Sequence, residues 1–395
     1  MRLLITNLLL IINLNVLYSQ NSCDTLDFLD CSKNEITVID SGKLSKMVKQ
    51  FQALNTEKSE PIQIVHIGDS HLQAGFITEK IKQELFQNYN ADSFASPGFI
   101  FPYTIAQTNN PFFYKVDYTG HWDWCKSVDK NKTCNLGLSG ITVRTKDSIV
   151  SIQIAMQNKD DNKPVKYLFN KIKIFHSPGE INITVNEVVA ETNQGVSTIS
   201  LDQFSDSISI QIQKSNTEEY FELYGIILEN SNSNINYHTI GVNGASALSY
   251  LKCDYFSKHL KEIGPDIILL SLGTNEAYDK DFRLIESEYI LKDLILQIRD
   301  IAPKAFIVYT TPNDHFKDGK ANKNVKSVQQ NIFKICHEFE LAYWDFYSIM
   351  GSEGSIEKWY KKGITGNDKI HFRKKGYEVQ GELFVKAFID LINNK

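Results

Sequence analysis

Three short segments, far apart in the chain, carry side chains whose combination suits acyl chemistry: Gly68-Asp69-Ser70-His71, Gly273-Thr274-Asn275-Glu276 and Asp368-Lys369-Ile370-His371. The first offers a hydroxyl, the second an amide, and the third a carboxylate three residues ahead of an imidazole. A serine hydroxyl becomes a nucleophile when a base takes its proton. The base works best when a carboxylate fixes its tautomer and stabilises the imidazolium. Ser70 is therefore the candidate nucleophile, His371 the candidate general base and Asp368 its orienter. For a developing oxyanion the candidate donors are the backbone N–H groups of Ser70 and Gly244 and the side-chain amide of Asn275. Each residue also has a plainer reading. Ser70, Asp368 or His371 can cap a helix, Gly244 can serve a turn within Gly241-Val242-Asn243-Gly244-Ala245-Ser246, and Asn275 can cap one.

The flanking sequence must present these groups, and it reads α/β. Ile62 to Ile67 is a short apolar strand ending at Gly68, and Ile77, Ile81, Leu85 and Tyr89 recur four apart on one face of the helix that follows. After residue 233 the pattern resumes. A helical run spans about Ala245 to Ile263, followed by strand Asp266 to Leu272, a helix around Leu284 to Ile301 and strand Ala305 to Thr310. A helix around Val325 to Phe339, strand Leu341 to Phe346 and a last amphipathic helix through Tyr377, Phe384, Phe388 and Leu391 complete the order. Alternating strands and helices predict a doubly wound parallel sheet, with ligands bound outside the carboxyl ends of the strands, where Ser70 and Asn275 fall.

The middle of the chain differs. Period-two runs at Ile149 to Ile154, Lys171 to Phe175, Ile181 to Val185, Ser207 to Ile212 and Phe221 to Leu228 are separated by Asn, Asp, Ser and Gly clusters. They predict an all-β sandwich inserted into the α/β unit. The expected boundaries are 1–19 for a leader, 20–110 and 233–395 for the two parts of the α/β domain, and 111–232 for the insertion. Within it Tyr114, Tyr118, Trp122 and Trp124 can stack on sugar faces or pack in the core.

Taken in order, these blocks resemble the SGNH (GDSL-type) hydrolase superfamily. Gly68-Asp69-Ser70 stands for the nucleophile block, Gly244 for the glycine block, Gly273-Thr274-Asn275 for the asparagine block and Asp368 to His371 for the Asp-x-x-His block. Within that superfamily the chain looks most like the peptidoglycan O-acetylesterases. Those carry Gly-Asp-Ser-His at the nucleophile, Gly-Thr-Asn-Glu-Ala at the asparagine and an inserted β-sandwich like a carbohydrate-binding module. The resemblance implies a flavodoxin-like sheet and a cofactor-free serine esterase acting on acetylated cell-wall glycan or another acetylated polysaccharide. It leaves open an O-acetyltransferase using the same machinery. A surface carbohydrate-binding protein on a retired scaffold is the rival of another class. His71 departs from the leucine of the usual form. Adjacent side chains on a tight turn seldom meet in hydrogen-bonding geometry, so it is assigned to packing or substrate shaping. Glu276 has no partner carboxylate at a readable spacing, so a glycosidase pair is not supported.

The composition agrees with a globular protein: 395 residues, 42% hydrophobic and 23% charged. A formal charge of -5 and a pI near 6.0 give no basic excess to gather nucleic acid or anionic lipid. Met1 to Ser19 place one Arg before the apolar stretch Leu8 to Leu17 and end on a small residue, as a secretory signal peptide does. Lipidation at Cys23 is disfavoured because Gln20-Asn21-Ser22 lacks the apolar residue of a lipobox. No later run is long enough for an integral membrane span. A periplasmic or secreted location is expected. Cys23 with Cys31 and Cys125 with Cys134 can close small disulfide loops there, while Cys253 and Cys336 read as buried thiols. No cysteine pair has zinc-knuckle spacing and the histidines do not cluster, so no metal is expected.

Overall fold

The structure is a computed structural model and describes residues 22–54, 60–89, 94–157 and 166–394. The expected leader, 1–19, lies outside the described residues. Six strands form one sheet in the spatial order Ile36–Thr37, Ala342–Trp344, Phe306–Thr310, Ile267–Ser271, Ile62–Gly68 and Ile235–Gly241. All run parallel except the Ile36–Thr37 edge.

Successive side chains in a strand point to opposite faces, and both faces here are covered. On one, Ile64, Leu269 and Val308 lie under Phe51, Ile81, Leu85, Phe384 and Phe388. These come from the helices Ser41–Ala53, Phe76–Tyr89 and Lys374–Asn393. On the other face Ile67, Leu270 and Ile307 meet Leu260, Leu294, Ile298 and Ile332, from the helices Phe256–Ile263, Leu284–Ile301 and Asn324–Glu338. Covering both faces explains why the central strands read as unbroken apolar runs. Each such buried aliphatic side chain contributes roughly 1.5–3 kcal/mol.

The strand Ile235–Gly241 does not stand out in the sequence, because Asn236 and His238 interrupt its apolar pattern although all seven positions are buried. His238 Nε2 meets Gln63 Oε1 of the neighbouring strand at 2.8 Å, a partner that only the fold supplies. The helical run expected over 245–263 is broken into Ala247–Leu251 and Phe256–Ile263. Between them Asp254 turns away to accept from Leu136 N at 2.8 Å and to pair with Lys132 at 2.5 Å, both from the inserted region.

The insertion forms two antiparallel sheets. One orders Val188–Val189, Ile181–Val185, Ser207–Lys214, Ile149–Met156 and Tyr114–Tyr118; the other includes Val196–Ser205, Phe169–His176, Phe221–Glu229, Ile141–Thr145 and Asp123–Lys126. In Ser207–Lys214 every second residue is buried, the mark of a strand with one face on a core. Gly98–Ile100 pairs with Phe221–Glu229, so the β structure is entered ahead of the boundary expected at 111. A three-residue strand carries too few alternations to be read as one. The two parts are pinned where Lys82, buried in the helix Phe76–Tyr89, donates to Pro97 O at 2.9 Å beside Glu79, which accepts from the Tyr167 hydroxyl at 2.8 Å.

Disulfides join Cys23 to Cys31 and Cys125 to Cys134, and Cys253 and Cys336 are buried free thiols. Among the described residues no helix is long and apolar enough to cross a membrane.

Candidate active site

The ladder fixes where the site stands. Gly68 pairs with Gly241 on one side and Ser271 on the other, so three neighbouring strands end at one level. From these ends leave the Ser70, Gly244 and Asn275 segments. Gly241 has to be glycine, since a Cβ there would lie 2.5 Å from Gln73 N. Gly244 takes φ 82°, a left-handed conformation open to glycine at little cost.

Beyond Gly68, Asp69 caps the short helix Ser70–Gln73 by accepting from His71 N at 3.0 Å. Ser70 Oγ lies 2.8 Å from His371 Nε2, and His371 Nδ1 lies 2.7 Å from Asp368 Oδ2. A carboxylate can only accept, so Nδ1 carries the proton and Nε2 is left with a lone pair for the serine hydroxyl. Partial burial pushes the Asp368 carboxyl up, but the His371 ring and the backbone N–H groups of Ile370 and His371 outweigh it and hold it below its ordinary value. It therefore stays ionised at neutral pH. The loop bearing both groups is tied to the segment after strand Phe306–Thr310: Asn313 Nδ2 donates to Ile370 O at 3.0 Å, and Phe316 N to Lys369 O at 3.0 Å.

The candidate donors, Gly244 and Asn275, line the same cavity as Ser70 and His371. Asn275 Nδ2 donates to Ala245 O at 2.8 Å and, at a long 3.4 Å, to Asp69 Oδ2. The long bond to Asp69 is the weaker of the two, and exchanging it would turn the second amide proton to an incoming oxyanion. Gln73 holds the Gly244 turn in place. Its Oε1 accepts from Asn243 N at 2.8 Å, and its Nε2 donates to Thr108 Oγ1 and Asn109 O, each at 3.0 Å. Glu276 Oε1 accepts from Ala247 N at 2.8 Å, bracing the same turn from the Asn275 side. A methyl of Val128, in the disulfide-closed loop of the insertion, stands 3.8 Å from the place a Cβ would take on Gly244.

Ser70, Gly244, Asn275 and His371 all line one cavity of about 530 Å3, and Asp368 stands behind His371. The structure therefore brings together every residue singled out in the sequence as nucleophile, base, orienter or donor. Sequence reasoning missed Gln73, Asn243 and the bracing part of Glu276. Their partners lie far off in the chain, so the sequence held no local signal for them.

His71 is buried. Its Nδ1 lies 3.0 Å from the Tyr377 hydroxyl and its ring is centred 5.0 Å from that of His371. Burial and the neighbouring His371 hold its imidazole well below the ordinary value, so it is a neutral ring packed against His371 and Tyr377. In the insertion Tyr114 is a core residue, its hydroxyl bonded to Phe101 O at 2.7 Å. Trp122 and Trp124 pack against the core, which leaves Tyr118 exposed.

The fold is a doubly wound parallel sheet with the candidate site at the carboxyl ends of its strands. Residues 206–379 match the GDSL-like lipase/acylhydrolase family. The matched stretch contains Gly244, Asn275, Asp368 and His371 and begins after Ser70. No curated protein sequence matches the chain. Among solved structures, a peptidoglycan O-acetylesterase superposes with TM-score 0.76 at 22% identity, covering 91% of this chain and 99% of that one. A catalytic mutant of an acetylxylan esterase from Geobacillus stearothermophilus has TM-score 0.33 at 17% identity, covering 41% and 74%. An active-site mutant of a family two carbohydrate esterase from Clostridium thermocellum has TM-score 0.30 at 13% identity, covering 70% and 98%.

Proposed function

We propose that the chain is an exported carbohydrate O-acetylesterase whose substrate is O-acetylated peptidoglycan. The observation that carries the reading is the relay from Ser70 Oγ through His371 to Asp368, at 2.8 and 2.7 Å, facing the Asn275 amide across one cavity. The choice of glycan is supported by the likeness, over nearly the whole chain and including an inserted sandwich, to a peptidoglycan O-acetylesterase fold. Export is supported by the leader-like Met1 to Ser19 and by two disulfides.

In this reading Ser70 Oγ attacks the acetyl carbonyl while His371 Nε2 takes its proton, and Asp368 stabilises the imidazolium. The Ser70 and Gly244 N–H groups and the Asn275 amide hold the tetrahedral oxyanion. His371 then protonates the departing sugar oxygen, leaving acetyl-Ser70 and the freed hydroxyl. Water, deprotonated by the same imidazole, attacks the acyl-enzyme, and collapse releases acetate and restores Ser70. No cofactor takes part.

The test is acetate release from O-acetylated peptidoglycan, acetylated xylan and an aryl acetate by the mature chain and its Ser70→Ala variant. Fast release from peptidoglycan that Ser70→Ala abolishes is the expected result. Release from xylan or the aryl ester alone would overturn the substrate, and acetyl transfer to an added sugar in place of release would overturn the hydrolase.

A further inference from the structure

The catalytic cavity does not end at the catalytic residues. It shares Gly244, Asn275 and Tyr278 with a neighbouring hollow of about 390 Å3, which in turn shares Leu248, Arg283, Glu286 and Ile290 with a third. The three make one trench from Ser70 along the first turns of the helix Leu284–Ile301. We propose that this trench binds uncharged sugar rings of the polymer next to the acetylated residue. The proposal rests on the reading of the site as a carbohydrate O-acetylesterase and adds to it where the rest of the chain lies.

Two kinds of side chain along the trench support this occupant. The first is apolar and flat. Tyr278 is 41% exposed, Tyr289 67% and Ile285 71%, and each lines one of the connected hollows. Tyrosine offers an apolar face for the C–H side of a pyranose and a hydroxyl for its edge. The second kind accepts hydrogen bonds. Glu276 lines the middle hollow, and its buried Oε2 has no donor among the described residues. Asp279, Asp281 and Glu286 line the same stretch.

Charge then narrows the choice. Among the described lining residues the one lysine or arginine, Arg283, is paired with Glu286, and Lys317, at the margin, donates to Asp279 O at 2.7 Å and lies 5.8 Å from the Tyr278 ring. The surplus of carboxylates accepts from sugar hydroxyls and repels carboxylate or phosphate groups. Neutral sugar rings fit both properties. A carboxylate-bearing peptide stem or a phosphate polymer fits neither.

The experiment compares kcat/KM on O-acetylated N-acetylglucosamine oligomers of increasing length with that on an aryl acetate, for the wild type and Tyr289→Ala. In the wild type the oligomer value rises with length. In Tyr289→Ala the ratio of long-oligomer to aryl-acetate kcat/KM drops by about tenfold through KM, the scale of a lost aromatic contact. Unacetylated neutral oligosaccharide inhibits, and an oligouronate of the same length does not. An unchanged ratio, or equal inhibition by the uronate, overturns the proposal. So does a wild-type dimer in sedimentation that Tyr289→Ala converts to monomer, because the patch would then be a subunit contact. If the wild type cleaves the aryl acetate and no glycan, the carbohydrate reading itself falls, a result distinct from the loss of length dependence alone.

Discussion

Ser70 and His371 meet across 2.8 Å, yet the two sides of that bond are held in different ways. Ser70 stands at the end of a central parallel strand, above an Asp69 that is 1% exposed. Asp368 and His371 stand on a loop with 46% and 41% of their side-chain surface open to solvent. The direction of the hydroxyl is set by a sheet ladder buried on both faces, whereas the direction of the imidazole depends on a few hydrogen bonds from residues 313–316. Disturbing the buried ladder beneath Ser70 should cost folding stability; disturbing the bonds that hold the loop should cost positioning while the fold survives.

The harshest break of this comparison removes the two meeting groups themselves. Ser70→Ala and His371→Ala should each lower kcat by about 10^4-fold or more, with melting temperatures close to wild type, measured on a simple acetyl ester. A His371→Ala enzyme with near-normal turnover would mean that the exposed side is not the base. Next in size, Asn275→Ala removes a donor and should lower kcat by about 10^2- to 10^3-fold, with KM little changed. A smaller loss sharpens the contrast on the loop side. Asn313→Ala leaves Ile370 O without its donor, and turnover should fall by about tenfold as the imidazole loses its fixed position. Amide exchange across 366–371 should quicken while the sheet stays protected, and uniform quickening would erase the distinction.

The smallest effect concerns stability. Burial, aided by nearby Glu276, pushes the Asp69 carboxyl up to about 7 from an ordinary value of 3.8. Between those values the folded protein holds a proton that the unfolded chain has released, so this group makes stability fall as pH rises through that window. Asp69→Asn should flatten the decline in melting temperature between about pH 4.5 and 7. A slope equal to wild type would show that Asp69 is ionised throughout.

What could be read from the sequence follows the same division. The Ser70, Asn275 and Asp368-to-His371 segments were legible because each places a reactive side chain beside a strand end or ahead of a helix. The unbroken apolar strands Ile267–Ser271 and Phe306–Thr310 were legible because helices cover both faces. The strand Ile235–Gly241 was not, since its buried Asn236 and His238 look like loop residues until Glu229 and Gln63 are seen beside them. Gln73 was hidden for a similar reason: its partners Thr108, Asn109 and Asn243 lie on two other loops. Polar groups satisfied by distant partners leave no periodic trace.

The levelling of Gly68, Gly241 and Ser271 has a further consequence. The whole sandwich is carried in the connection between two strands that lie side by side, so it hangs from the sheet as a loop does and leaves the pairing register untouched. A slip of one residue would move a strand end by about 3.3 Å and turn its side chains to the wrong face. The catalytic spacing is thus as digital as the ladder. A chain that has joined Ile235–Gly241 to Ile62–Gly68 in register has the Ser70 and Gly244 segments aligned, and a mispaired chain has neither. Recovery of activity on refolding would therefore time the closing of the longest connection between consecutive strands of this sheet.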